Sequence, residues 1–250
     1  MAVEHITSRK NATIQRLRSL AADAAFRRAE GEYLCDGHKL LAEALDKGAQ
    51  LRCVLWKDKP GELMLPDHVR QYTAPAELFD YASPMKNSPG PLFTLAIPEV
   101  PAPIFSRAIL LENVQDPGNV GTVIRTAAAM GVDTVILCGA CADVYSPKTA
   151  RATMGAIFRE NILRCEVDEV RALADRSHLK LYGAALSDRA SDIRTLTLQN
   201  AVVAVGSEGQ GLSKELLRQC DGELIIPMSP GSESLNAAVA ASIILWEMAR

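Results

Sequence analysis

Three glycines within six residues, Gly206, Gly209 and Gly211, follow an apolar run at 202–205 that no polar residue interrupts. Glycine lacks the Cβ that forbids left-handed backbone angles and close approach, so a loop built from it can press its amides against a ligand. The mostly β-branched run before it suits a strand covered on both faces, as in a parallel sheet. Strand and loop together make a cradle for something small. A dinucleotide-binding domain needs Gly-x-Gly-x-x-Gly after its first strand, and here the glycines come in another order and place, which sets that reading aside. Beyond an apolar stretch at 224–226, a turn-rich loop at 227–233 leads into 234–250, which holds neither glycine nor proline and is expected to be helical. Ser234 and Asn236 at its start are capping residue types, and the free amides and positive dipole end of such a helix would point into the same site.

Other side chains with chemical potential are poorly placed for it. Cys35, Cys53, Cys138, Cys141, Cys165 and Cys220 have no disulfide rhythm and read as reduced and mostly buried. Cys138 and Cys141 have Cys-x-x-Cys spacing but no second pair and no nearby histidine, so they read as packing at a strand end, and no metal is expected. His5, His38, His68 and His178 all lie away from the glycine-rich stretches. With 250 residues and 48% hydrophobic content the chain can bury a substantial core. Its net charge of -3 argues against coating nucleic acid by bulk electrostatics, so the distribution of charge matters more than the sum. Up to residue 28, Arg9, Lys10, Arg16, Arg18, Arg27 and Arg28 face only Glu4 and Asp23, a local excess of +4. Taken alone, that is a solvated basic face. No apolar segment follows the first basic residues, and the apolar run near residue 245 is too short to span a bilayer, so a cytoplasmic location is expected.

The elements that must position these residues divide in two. Ile14, Leu17, Leu20, Ala21 and Ala24 make a helical pattern with Ser8 or Asn11 as its cap. Strands at 33–35 and 51–56 flank a helix at 38–47 that ends at Gly48, and a helix at 76–81 and a strand at 92–97 follow. Three prolines within 98–103 make a stiff connection. The expected division is a first domain at 1–98, a linker at 99–105 and a second domain at 106–250. In the second, strands at 108–111, 134–137 and 179–185 alternate with a helix that follows a Pro117-Gly118 turn and runs to Met130 and with a helix at 167–176, which predicts an α/β parallel sheet with helices on both faces. Along the final helix, Leu235, Val239, Ile243 and Trp246 form one stripe, and Ile244, Leu245 and Met248 widen it nearly all the way round. Its own sheet or a second subunit must cover it.

Gly-Ser-Glu-Gly-x-Gly-Leu at 206–212, Ile-Pro-Met at 226–228 and Ser-Leu-Asn at 234–236 resemble the second and third motifs of the SpoU (TrmH-like) branch of the SPOUT RNA methyltransferases. Glu-Asn-Val-Gln-Asp-Pro-Gly-Asn-Val-Gly-Thr-Val-Ile-Arg-Thr-Ala at 112–127 resembles the first motif, and Pro-Lys-Thr-Ala-Arg-Ala-Thr-Met-Gly-Ala-Ile-Phe at 147–158 the connecting segment. Four blocks in order are a specific signal where a lone glycine loop is not. The resemblance implies a C-terminal SPOUT α/β-knot, a trefoil-knotted parallel sheet with helices on both faces, plus a smaller N-terminal L30e-like α/β domain that binds RNA. It implies a homodimer, S-adenosyl-L-methionine as methyl donor and a ribose 2′-hydroxyl as acceptor, with 23S ribosomal RNA favoured over transfer RNA because a second contact surface suits a large folded target. A transfer RNA enzyme and a non-catalytic RNA-binding or ribosome-assembly factor on the same fold are the alternatives.

Carried over by motif, the catalytic residues are Asn119, Arg125, Glu208, Ser234 and Asn236, and the cofactor contacts fall at Gly206, Gly211, Ile226, Met228, Ser234 and Leu235. With an RNA partner implied, the N-terminal cations and Arg151 become candidates for phosphate contact. Asn119 alone would read as a helix cap and Arg125 as a surface cation. A guanidinium is a poor proton acceptor, so Arg125 is expected to stabilise negative charge on the 2′-oxygen and grip the adjacent phosphate. The chain departs from the family at Asp36-Gly37, where a glutamate is usual, and at 85–90, which differs from the commoner Thr-Pro-Gln-Gly loop.

Overall fold

The computed structural model describes residues 3–99, 105–229, 231 and 234–250. Most of the expected linker therefore lies outside the described residues, as do Pro230, Ser232 and Glu233 of the second loop. The chain forms two compact units, Met1–Glu99 with Asp143–Phe158, and Val100–Ala142 with Arg159–Arg250.

In the first unit the chain runs β1 (Glu4–His5), α1 (Ala12–Ala22), α2 (Ala24–Glu30), β2 (Glu32–Asp36), α3 (His38–Asp46), β3 (Leu51–Lys57), β4 (Arg70–Ala74), α4 (Ala76–Ala82) and β5 (Leu92–Ala96). The sheet order is β1-β4-β3-β5-β2, with β5 antiparallel to both neighbours. Asn11, one of the two expected caps, starts α1 by accepting from Thr13 N at 2.8 Å. The single expected helix is two, because Asp23 takes an extended conformation and caps α2 through Ala25 N and Phe26 N. An aspartate side chain competes for local amides, which favours a cap over a helix interior. Ile14, Leu17 and Leu20 of α1 close over Leu34, Leu55 and Phe79 to make this unit's core.

The rest of the chain adds β6 (Ala108–Glu112), α5 (Pro117–Met130), β7 (Thr134–Cys138), α6 (Pro147–Ala152), β8 (Asn161–Cys165), α7 (Val167–Arg176), β9 (Lys180–Ala184), β10 (Ser191–Asp192), β11 (Ala201–Val205), α8 (Lys214–Gln219), β12 (Gly222–Ile225) and α9 (Ala237–Ala249). Seven strands, ordered β10-β12-β9-β11-β6-β7-β8, pair only in parallel. Every residue of β6, β7 and β11 is buried, as the continuous apolar runs predict for a sheet covered on both faces. Ala108, Leu110, Val202 and Ala204 pack with Val170 of α7 and Leu216 of α8, and α9 lies against β11 and α5.

The last helix starts at Ala237, later than expected, with Asn236 as its cap and Ser234 and Leu235 in the loop before it. Ala241, Ile244, Leu245 and Met248 form its buried face. Val239 and Trp246 are 49% and 61% exposed, so the side of the helix that carries them is not covered by its own sheet. Parallel pairing carries the loops after β6, β11 and β12 to one edge of the sheet. Ligands of open α/β sheets bind at that carboxyl edge.

The segment Asp143–Phe158 joins the first unit through Arg27, which is 4% exposed. Its guanidinium donates to Asp143 Oδ2 from Nε at 2.9 Å and Nη2 at 2.5 Å, and from Nη1 to the carbonyl of Leu20 at 2.6 Å. Arg27 is thus a structural residue, and the expectation that it meets RNA is corrected: its donors are spent inside the fold. Arg27→Met leaves Asp143 Oδ2 without its cationic partner and removes the donor to the carbonyl of Leu20, and is expected to cost on the order of 3 kcal/mol in urea unfolding.

Glu160 supplies a pH dependence. Its Oε1 is buried with no hydrogen-bond partner among the described residues, and burial, reinforced by the Asp133 carboxylate and opposed by Arg159, pushes the carboxyl up to about 8. An acid with a raised folded pKa contributes most below its ordinary value, and stability falls as pH rises from there through the folded pKa. Urea titrations between about pH 5 and pH 8 should show that decline, and Glu160→Gln should flatten it.

Candidate active site

The loops after β6, β11 and β12 border two hollows at the carboxyl edge of the seven-stranded sheet. One has a volume of about 500 Å³ and is lined by Gly206, Gly211, Ile226, Met228, Ser234 and Leu235, all six positions that the motifs assign to the cofactor. Gly206 is required there by contact, since a Cβ on it would lie 2.1 Å from the carbonyl carbon of Gly211. The loop folds back so tightly because Gly211 N donates to Ser207 O at 2.9 Å, with Gly211 at φ +65°. Gly209 has open space around it and no such constraint. Ile226, Met228 and Leu235 supply apolar wall, and the 63% exposed Leu186, which no motif marks, stands at the rim.

The other hollow, of about 470 Å³, is polar and bordered by Asn113, Gln115, Asp116, Asn119, Glu208 and Gln210. Glu208 is the hub of its wall. Its Oε1 accepts from Asn119 Nδ2 at 2.8 Å, from the backbone N of Ala237 at 3.3 Å, and from Asn236 Nδ2. Asn236 also donates to Asn119 Oδ1 at 3.2 Å while its own Oδ1 caps α9 through Ala238 N and Val239 N. The carboxylate faces the first turns of both α5 and α9, whose unpaired amides and dipoles favour negative charge.

Asn119 does not cap α5. Asp116 does, accepting from Asn119 N at 2.9 Å with Pro117 in the first helical position. The asparagine side chain is therefore free to reach Glu208. Arg125 stands about 240° round the helix from Asn119. It is exposed, and makes no hydrogen bond or ion pair with any described residue. Of the five motif residues, then, Asn119, Glu208 and Asn236 form one network, Ser234 lines the neighbouring hollow, and Arg125 joins neither.

Sequence reasoning passed over Glu112. This wholly buried carboxylate ends β6 and accepts from Ser213 N at 2.7 Å and Ser213 Oγ at 2.6 Å, tying the far end of the glycine loop to the next strand. Asn113 follows at φ +56° and accepts from Ala140 N at 2.8 Å. A motif that opens with Glu-Asn hints at both, but only the pairing of β6 with β11 reveals the partner.

In the first unit the two departures from the family pattern meet. Ser88 Oγ donates to Asp36 Oδ1 at 2.5 Å and Ser83 Oγ to Oδ2 at 3.2 Å. Burial holds this carboxyl above the ordinary range, opposed by the two hydroxyls and by the charge of Arg151, whose guanidinium touches Met85. Most of the N-terminal cations are occupied: Arg9 pairs with Glu77 at 2.8 Å, Arg18 stacks 3.9 Å over the Tyr81 ring, and Arg16 is gripped by Glu30 and Glu32. The side chains of Lys10 and Arg28 are exposed and make no such contact with described residues.

Known proteins resemble this chain in sequence and fold. The chain is 31% identical to the 23S rRNA (guanosine(2553)-2′-O)-methyltransferase RlmP of Bacillus subtilis, over 86% of this chain and 88% of that protein. It is 29% identical to the 23S rRNA (uridine(2479)-2′-O)-methyltransferase of Streptomyces viridochromogenes, over 100% of this chain and 93% of that one. The AdoMet-bound rRNA methyltransferase of Sinorhizobium meliloti superposes with a TM-score of 0.86 at 26% identity, covering 98% of this chain and 97% of that one. Residues 106–246, which include the entire cluster around Glu208, match the SpoU rRNA methylase family, and the chain belongs to that family.

Proposed function

We propose that this chain transfers the methyl group of S-adenosyl-L-methionine to a ribose 2′-hydroxyl of 23S ribosomal RNA. The observation that carries the reading is the Asn119–Glu208–Asn236 network, which walls a polar hollow beside a glycine-built cleft. The relatives named as 23S rRNA 2′-O-methyltransferases support it. The cleft suits the cofactor chemically: the close contact at Gly206 leaves backbone at the surface, Ile226, Met228 and Leu235 offer apolar cover for a base, and Ser234 adds a hydroxyl. When bound, S-adenosyl-L-methionine supplies an electrophilic methyl on a sulfonium.

The protein's part is alignment and charge. Loop 206–211 holds the donor end, while Glu208 binds the starts of α5 and α9 to that loop so that both hollows keep one geometry. With three N–H donors on one oxygen, Glu208 acts as a positioning residue. Arg125, free of partners, stabilises the negative charge that develops on the 2′-oxygen and grips the neighbouring phosphate, and the proton leaves through water or that phosphate. The same reading has two copies pair through the exposed groove along α5 and α9 that Thr122, Thr126, Val239 and Trp246 line, bringing Arg125 of one copy to the other's site. It also includes a C-terminal tail threaded into a trefoil knot, RNA binding by the first unit through Lys10, Arg28 and Arg151, and a cytoplasmic setting. No helix among the described residues is long and apolar enough to cross a membrane.

Incubation with methyl-labelled S-adenosyl-L-methionine and separate pools of ribosomal and transfer RNA should label the ribosomal pool and give a 2′-O-methyl stop in 23S RNA. Label confined to transfer RNA, or absent from both, overturns the proposal. Two variants separate holding the donor from aligning it. Gly206→Ala forces the loop apart and should abolish donor binding in calorimetry. Glu208→Gln should keep donor affinity within a few-fold while turnover falls by about 100-fold, the scale of a misplaced reacting group.

A further inference from the structure

In the first unit, two arginines without partners stand on the sheet. Arg52 and Arg70 make no hydrogen bond or ion pair with any described residue. They lie at the starts of β3 and β4, which run parallel with Cys53 opposite Arg70, so their stems rise from strands only about 4.8 Å apart. Arg52 owes its direction to a bulge: β3 pairs with β5 at Leu51↔Leu95 and next at Cys53↔Thr94, which leaves Arg52 as the inserted residue. A bulge re-aims the extra side chain. That is why the consecutive residues Leu51, Arg52 and Cys53 line one crevice, of about 460 Å³, with His68, Arg70 and Tyr72.

Its wall is Arg16, whose charge is offset by Glu30 and Glu32. The acid that lines the crevice, Glu32, is 8% exposed and already engaged by Arg16. Arg52 and Arg70 therefore both border the crevice without an acid of their own, and the positive charge they bring to it is one that an anion would offset. Two planar guanidiniums match the paired oxygens of a phosphate. Arg52, His68 and Arg70 are all exposed, so a bound anion would stay largely in water. Such a site holds a free phosphate weakly but serves a polymer whose affinity is summed over many phosphates.

The geometry points to a phosphodiester-binding crevice at Arg52 and Arg70 that grips the backbone of the RNA substrate, through cations other than those counted in the basic N-terminal segment. This rests on the RNA reading above. The test compares wild type, Arg52→Ala/Arg70→Ala, Arg52→Lys/Arg70→Lys and, as a control for losing an exposed cation elsewhere on this unit, Lys59→Ala beyond the other end of β3. RNA affinity is measured against salt, donor affinity by calorimetry, and methyl transfer as separate KM and kcat. The double alanine variant should bind ribosomal RNA at least about tenfold more weakly, with a salt slope shallower by roughly 0.7 for each phosphate that is no longer gripped. Its KM for RNA should rise by a similar factor while kcat and donor affinity hold, and the lysine pair should recover the slope. A double variant with wild-type affinity and slope, or one no different from Lys59→Ala, overturns the crevice, as does a weakening seen equally with inorganic phosphate and not with RNA. A wild type that binds RNA and transfers no methyl overturns the function proposed above, and the crevice is then decided by the salt slope alone.

Discussion

Oxygen Oε1 of Glu208 accepts hydrogens from the side chains of Asn119 and Asn236 and from the backbone of Ala237. These donors belong to two helices far apart in the chain, and the acceptor sits in a loop between strand and helix. Remove the carboxylate and the first turns of α5 and α9 keep their caps, Asp116 and Asn236, but lose the common point that sets them against the glycine loop. The acid is well placed electrostatically, because two helix starts present positive dipole ends to it. Charge thus selects the residue type: a neutral amide could offer the same three donors an oxygen but would bring no negative charge to the two helix starts.

That hub works because the elements around it cannot slide. β11 is paired in parallel on both sides, with β6 and β9, and buried along its whole length. Its exit point is therefore fixed relative to the exit of β6, where Glu112 takes both donors of Ser213. The glycine loop is held at one end by this buried carboxylate and at the other by the contact that excludes any side chain at Gly206. Only residues 208–211 between these two holds are exposed. A rigid frame with a short exposed bend is what placing reacting groups to within a fraction of an ångström demands.

Much of this was legible in the residues. Apolar runs at 108–111, 134–137 and 202–205 marked central strands because burial on both faces leaves no place for a polar residue, and the parallel sheet followed from their alternation with helices. Where several residue types satisfy the same pattern, reading failed. Asp116 and Asn119 are both capping types three positions apart, and only the chain's entry angle into α5 decided that Asp116 accepts. The strand at 70–74, Arg-Gln-Tyr-Thr-Ala, has too few apolar residues to declare itself; β3 alongside supplies its register. The apolar residues of α9 run nearly all the way round it, so its composition could not say which stripe α5 would cover. The docking of 143–158 onto the first unit was invisible for another reason. Arg27 and Asp143, which contribute to it, are more than a hundred positions apart, and each alone looks like an ordinary surface charge.

The charges show why counting cations along a sequence misplaces a binding surface. The N-terminal excess is real, yet the fold consumes it: Arg27 bridges to Asp143, Arg16 to Glu30 and Glu32, Arg9 to Glu77, and Arg18 rests on Tyr81. On a helix, neighbouring acids one or two turns away reach such cations easily. A bulged strand start offers no acid at that spacing, so Arg52 and Arg70 stay uncompensated in a stretch whose local charge count is unremarkable. In a protein with a net charge of -3, the electrostatics available to a polyanion are set by the cations the fold leaves unpaired, and those are decided by strand register and burial.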